Sequence, residues 1–356
     1  TLAQDNTLVL FAYANYTLED EFTAEMRPYF KQWRVVADLS DEALADCIRA
    51  DGIDILIDLS GHTSGNRLLT FARKPAPVQA SWLGYLNSTG LTAIDYYLAD
   101  SALLPPGQFD QQFSEKLVQL PVNAPFEPHP QAPAVNDLPA LTNGYLTFGC
   151  FNRPNKITRT AVQQCAALIQ AYPGSRMVLG GMGEAGSYAH LQDWFTEAGM
   201  TADRLLFLPR TEMTGYLQQY HLVDVCLDTF PSNGVTTTAH ALWMGVPTLC
   251  MAGDRLASRG AMALMQHLGL QDWVADQPQQ LLQQANHVLS DLQALAALRA
   301  ELRTHFADSA LAKPAPLAQA LSQALRQMWQ RWCASLSPLA FQTYWTETHL
   351  SHPKLH

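Results

Sequence analysis

Residues 223–247 read VDVCLDTFPSNGVTTTAHALWMGVP. The run Val223–Leu227 is short, almost wholly apolar and β-branched, which predicts a strand buried on both faces of a parallel sheet. Asn233-Gly234 is a turn pair, and three threonines follow it. Thr236, Thr237 or Thr238 can cap a helix that turns Leu242 and Trp243 toward a core. A second apolar run, Thr248–Met251, comes next. Strand, loop, helix and strand in this order form a βαβ unit. The loop and helix start then lie at the carboxyl end of a parallel strand, where open α/β sheets bind ligands.

The same alternation extends in both directions. Strands are predicted at Leu8–Tyr13, Ile53–Leu59, Val78–Leu83, Tyr96–Ala99 and Leu117–Leu120. Further strands are predicted at Leu146–Phe151, Met177–Gly180 and Leu205–Leu208. Helical patterns such as Thr160–Ala171 fill the intervals, so the fold class is doubly wound α/β. Residues 121–143 hold six prolines and read as a linker, because proline is excluded from helix interiors and central strands. The expected organisation is a first α/β domain over 1–120, a linker over 121–143, a second α/β domain over 144–310, a helix over 314–335 and a tail over 336–356. In that helix Leu317, Leu321, Leu325, Met328 and Trp332 form one apolar stripe, and Pro316 suits its first turn.

The chain has 356 residues, 48% hydrophobic and 15% charged, enough for two cores. Its net charge is −10, from 22 basic and 32 acidic residues. No basic block stands out, which argues against nucleic acid or an anionic membrane as partner. No apolar run approaches the ~18 residues of a membrane span. The six cysteines include no C-x-x-C pair and read as buried thiols of a cytoplasmic protein.

A helix start carries unpaired N–H groups and about half a positive charge. With Gly234 allowing close backbone approach and threonine hydroxyls nearby, Asn233–Thr238 reads as a seat for phosphate, or else as an ordinary capped helix. The stretch FNRPNK, residues 151–156, also ends a strand, and Thr158 can cap the helix after it. Lys156 there is either a solvated surface charge or a point charge meeting phosphate, with Asn152 and Arg153 adding hydrogen bonds. In DLSGHTSGNR, residues 58–67, His62 sits among glycines as base, hydrogen-bond donor or structural group. SWLGYLNSTG, residues 81–90, offers Tyr85, Asn87 and Thr89 to a sugar or peptide, or is a packed turn. No D-x-D triplet, H-E-x-x-H or Cys/His cluster suggests a metal, and no cofactor is expected.

Four motifs in order, residues 51–67, 73–85, 151–157 and 223–247, resemble the catalytic region of protein O-GlcNAc transferases, nearest to their bacterial SPINDLY-like branch. GDRLASR (253–259) and LRQMW (325–329) fit the same pattern. The resemblance implies a GT-B fold, two Rossmann-like domains facing a cleft, with no tetratricopeptide array in this sequence. It implies inverting, metal-independent transfer of a sugar, GlcNAc first among candidates, from a UDP-sugar to serine or threonine of a protein or peptide. Lys156 falls on the family's phosphate-neutralising lysine, and Thr236 and Thr237 on its diphosphate-binding hydroxyl pair. Tyr216 stands where relatives often carry histidine. His240 stands where they carry an acid that holds the uridine ribose. The expected donor-side set is therefore Asn152, Arg153, Lys156, Tyr216, Asn233, Gly234, Thr236, Thr237, Thr238 and His240. His62, Tyr85, Asn87 and Thr89 form the acceptor side, and Lys156 and His62 are the candidate catalytic residues. A non-catalytic UDP-sugar-binding module, a UDP-sugar epimerase and an asparagine-directed glucosyltransferase are the alternative readings.

Overall fold

The computed structural model describes residues 1–343 apart from 124 and 185. Among the described residues there are thirteen strands, most of them separated by helices. They are β1 (Phe11–Ala14), β2 (Gln32–Val35), β3 (Ile55–Asp58), β4 (Val78–Trp82), β5 (Tyr96–Asp100), β6 (Lys116–Leu120), β7 (Thr147–Cys150), β8 (Arg176–Met182), β9 (Leu205–Pro209), β10 (Val225–Leu227), β11 (Thr248–Met251), β12 (Val274–Ala275) and β13 (Phe341–Gln342). Every recorded strand pairing is parallel. The chain forms two compact units.

The first unit holds Thr1–Pro125 and the described residues from Lys313 onward. Its main sheet runs β13-β6-β5-β4-β3, and β1 and β2 form a separate pair. β5 is buried along its whole length, as expected of a central strand. In β3 Leu56 and Asp58 are buried while Ile55 and Ile57 are half-covered. The helix Asp41–Ala50 is capped by the Ser40 hydroxyl, which accepts from the Ala43 amide at 3.2 Å. It sets Leu44 and Ile48 against Leu56, Leu68 and Phe71 in one apolar cluster. The helix Pro314–Cys333 belongs to this unit. Leu317, Leu321, Leu325 and Met328 of its stripe are buried. Trp332, the last of the five, is 47% exposed and instead stacks on Trp329 with centroids 4.8 Å apart.

The second unit, Phe126–Ala312, carries six strands in the order β12-β11-β10-β7-β8-β9. Numbered within the unit this is 6-5-4-1-2-3, the order of a doubly wound nucleotide-binding sheet. Its direction of winding reverses between β7 and β10, whose register pairs Val225 with Phe148 and Cys226 with Gly149. β7, β10 and β11 are wholly buried, while edge strand β9 is partly open.

The stretch read as a linker has more structure than its prolines suggested. Pro139 starts a short helix, Pro139–Asn143, at a position where its missing N–H is no loss. Asp224 ties that helix down, accepting from the amides of Ala140 at 2.8 Å and Thr147 at 2.7 Å. Before it, the fully buried Arg299 donates to the Asn136 carbonyl and to the Val223 carbonyl, each at 2.8 Å. Arg303 donates to the carbonyls of Pro133 and Trp243, each at 2.6 Å. A segment without regular structure needs partners for its backbone groups, and these two arginines supply them. The expected tail falls mostly outside the described residues. Its described part contributes β13, paired with β6.

Candidate functional site

The site builds up around the reversal point between β7 and β10. Past the end of β7, Asn152 is buried and faces the loop that follows β10. Its amide donates to Asp228 Oδ1 at 2.7 Å and to the Thr229 hydroxyl at 3.0 Å. The Gly234 amide donates to the same Asp228 oxygen at 2.8 Å, and the Thr237 hydroxyl donates to Asn152 Oδ1 at 2.7 Å. Four side chains and one backbone amide thus lock two loops together. Gly234 is required by space, since a Cβ there would sit 2.2 Å from the Thr237 hydroxyl and 2.7 Å from Asn152 Oδ1. Asp228 was not among the expected residues, although an acid at the carboxyl end of a buried strand is a readable signal. Burial pushes its carboxyl up to about 6, opposed by the bonds from Gly234 and Asn152.

The threonines do not cap the helix Thr236–Trp243, contrary to expectation. The Thr237 hydroxyl is taken by Asn152, and that of Thr238 by the Gly234 carbonyl at 3.3 Å. The amides of Val235, Thr236, Thr237 and Thr238 have no acceptor among the described residues. Free N–H groups at a helix start make an anion seat. Lys156 reaches it, its ammonium donating to the Asn233 carbonyl at 2.7 Å. One of its three N–H groups is used there and two remain. Burial lowers the Lys156 pKa, partly offset by Asp228. The helix after this loop is capped as expected, with the Thr158 hydroxyl accepting from the Ala161 amide at 3.2 Å.

The remaining donor-side residues divide. Arg153 is exposed, while Asn233 is buried with its amide donating to the Thr229 carbonyl at 2.9 Å. Tyr216 and His240 lie together, ring centroids 5.5 Å apart and edge to face, and Phe126 meets His240 edge to face at the same distance. Burial lowers the His240 pKa to about 4, so its ring is neutral at pH 7, and its Nδ1 has no partner. The Tyr220 hydroxyl donates to the Thr237 carbonyl at 3.2 Å, so it must accept from the Tyr216 hydroxyl at 2.7 Å. Tyr220 stacks on Phe151 in the apolar cluster that also holds Val178, Cys226, Ala241 and Met244. The anion seat therefore stands on a rigid floor.

The acceptor-side residues belong to the first unit, at the carboxyl ends of β3 and β4. His62 is exposed, with Nε2 2.9 Å from the Thr89 carbonyl. Its ring meets Tyr85 edge to face at 5.4 Å. Gly61, at φ +52°, lets the two loops touch, because a Cβ there would lie 2.4 Å from Tyr85 Cβ. Buried Asp58 fixes the first loop, accepting from the Gly61 amide and the Ser81 hydroxyl, each at 2.9 Å. Asn87 is exposed, and its side chain accepts from the Ser88 amide at 2.9 Å. Thr89 is buried, with amide and hydroxyl both directed to Glu115. Its side chain is thus a support and not a surface group. Among the described residues no group of three or more His, Cys, Asp or Glu side chains is placed to hold a metal ion. No described helix is long and apolar enough to cross a membrane.

Parallel sheets in both units, with an anion seat at the reversal point of the second, define an α/β protein of the GT-B glycosyltransferase class. The chain belongs to glycosyl transferase family 41, whose pattern it matches over residues 11–131 and 135–321. It is 37% identical over 305 residues to the probable UDP-N-acetylglucosamine–peptide N-acetylglucosaminyltransferase SPINDLY of Petunia hybrida, covering 85% of this chain and 33% of that protein. To the SEC protein of Arabidopsis thaliana, which carries the same probable activity in its name, it is 29% identical over 90% of this chain and 34% of that one. The chain thus spans about a third of the length of these curated relatives. A solved structure of a mutant Thermobaculum terrenum O-GlcNAc transferase superposes with a TM-score of 0.87 at 35% identity, over 94% of this chain and 64% of that one. Sucrose-phosphate synthase of Thermosynechococcus elongatus shares the fold alone, at TM-score 0.60 and 13% identity over 90% of this chain and 88% of that one.

Proposed function

We propose that the chain transfers a sugar, GlcNAc, from its UDP donor to a serine or threonine hydroxyl of a protein, with inversion and without a metal ion. One observation carries this reading. The Lys156 ammonium is bonded to Asn233, just ahead of the uncapped first turn of the helix Thr236–Trp243, at the reversal point of the second sheet. As the hydroxyl oxygen bonds to the anomeric carbon, the bond from that carbon to the diphosphate breaks and its electron pair leaves with the diphosphate. The hydroxyl proton departs to a base. Four N–H dipoles and a partly desolvated ammonium oppose the charge that grows on the leaving group, usually a leading part of catalysis. They supply the positive field a divalent cation provides elsewhere. A lysine whose pKa is lowered by burial gains its missing counter-charge when the diphosphate binds.

Calorimetry with UDP, paired with transfer from UDP-GlcNAc to an acceptor protein read by mass spectrometry, tests the proposal. Lys156→Ala is expected to lower turnover by roughly 10²–10³, as loss of an oxyanion-hole donor does. Wild-type turnover in that variant would overturn the assignment. UDP binding by the wild-type chain with no transfer would make it a binding module.

A further inference from the structure

The first unit contains a histidine whose chemistry is fixed by its neighbours. His62 Nε2 lies 2.9 Å from the Thr89 carbonyl, and a carbonyl oxygen only accepts. Nε2 must therefore carry the hydrogen. In the neutral ring the lone pair is left on Nδ1, which has no partner among the described residues. The carbonyl that imposes this choice is itself held. Glu115, 3% exposed, accepts from the Thr89 amide at 2.8 Å and from the Thr89 hydroxyl on one oxygen. On the other it accepts from the hydroxyls of Ser88 at 2.7 Å and Ser114 at 3.1 Å. Ser88 Oγ also accepts from the amides of Gly90 at 3.0 Å and Ser114 at 3.3 Å. Four donors offset the cost of burying this carboxyl group, which has no cation in contact among the described residues. Here every donor lies in the 88–90 loop or next to Glu115 itself.

We infer that His62 acts through Nδ1 as the acceptor for a hydroxyl proton, and that Glu115 is the positioning residue that fixes this atom through the Thr89 carbonyl. Tyr85, edge to face with His62, limits rotation of the ring. Its own backbone carbonyl is pinned by the Tyr97 hydroxyl at 2.8 Å. The arrangement does for His62 what a direct carboxylate partner does for a catalytic histidine elsewhere, selecting tautomer and orientation. It does so through a backbone carbonyl, which adds no charge beside the ring.

The ring assignment stands without the transferase reading, whereas the rate effects rest on it. The test uses the full chain with nitrogen-15 histidine, and long-range proton–nitrogen correlation spectra in which the His62 signals are identified by their loss in His62→Gln. The wild type is expected to show Nε2 protonated and Nδ1 bare, and Glu115→Gln a mixture of tautomers. Because an ångström of misplacement can cost about 10²-fold, kcat in Glu115→Gln should fall between about 10- and 10²-fold with KM for the UDP-sugar unchanged. Thr89→Val, which keeps the backbone bond to Glu115, should move both readouts the same way by less, and covers the case in which Glu115→Gln fails to fold. A wild-type His62 protonated on Nδ1, or variants with wild-type tautomer and kcat, would overturn the inference. A chain that shows the assigned tautomer and binds UDP but transfers no sugar would instead overturn the transferase reading.

Discussion

Gly234→Ala puts a methyl group where the two loops of the anion seat are locked. Its carbon would lie 2.2 Å from the Thr237 hydroxyl, 2.7 Å from Asn152 Oδ1 and 3.2 Å from Asp228 Oδ1. Carbon and oxygen pack no closer than about 3.4 Å without repulsion, so the Thr237 oxygen must retreat by about 1 Å. That movement breaks its 2.7 Å bond to Asn152. An unpaired buried acceptor costs roughly 1–3 kcal/mol, and overpacking a tight site costs a similar amount. With some relaxation, the expected loss is about 2–4 kcal/mol in urea denaturation. The first turn of the helix moves with Thr237, so UDP affinity by calorimetry should fall about 10²-fold. A double-mutant cycle sharpens the test. In a Thr237→Ala background the nearest obstruction is gone, so adding Gly234→Ala should cost clearly less than in the wild type. Wild-type stability and affinity in Gly234→Ala, or strict additivity in the cycle, would refute the account of the lock.

Three other outcomes follow from the same geometry. Lys156→Ala should weaken UDP far more than uridine, because its ammonium answers the phosphates alone; equal loss for both ligands in calorimetry would contradict this. His240 has its pKa lowered by burial from 6.5 to about 4, so the unfolded chain binds a proton that the folded chain refuses. Stability should fall as pH drops from about 6.5 to 4, and thermal melts of His240→Phe should lack that part of the slope. Arg299→Met leaves the carbonyls of Asn136 and Val223 without their donor, for an expected loss of about 3–5 kcal/mol in denaturant titration.

The sequence makes the sheets legible because buried parallel strands are written as apolar runs. Thr248–Met251 is found as read, and the run Val223–Leu227 supplies the shorter strand Val225–Leu227. β2, β12 and β13 escape it. QWRV is polar and lies in a two-stranded pair, and the other two strands have two residues each, too few for any periodicity. Asn152, Lys156, Gly234 and Thr237 were readable as a group, since strand ends in a doubly wound sheet converge. Their partners were not. That Asn152 and not the helix start takes the Thr237 hydroxyl depends on a bond spanning 85 positions, for which spacing carries no mark. Glu115 and Arg299 look in sequence like surface charges, and only the placement of carbonyls and amides around them explains their burial. The prolines of 121–143 rightly excluded a central strand, but whether such a segment swings free or is clamped depends on arginines more than 160 positions away.

The helix Pro314–Cys333 and strand β13 are synthesised after the second unit yet complete the unit begun before it. Among the described residues the second unit is one run of chain, Phe126–Ala312, and can finish folding as it leaves the ribosome. The first must wait, holding β6 as an open sheet edge and an apolar surface uncovered until some two hundred further residues have been made. Aggregation during synthesis, and any need for a chaperone, should therefore concentrate on the first unit, and a truncation after the second unit should damage the first, whose closing helix and strand it removes.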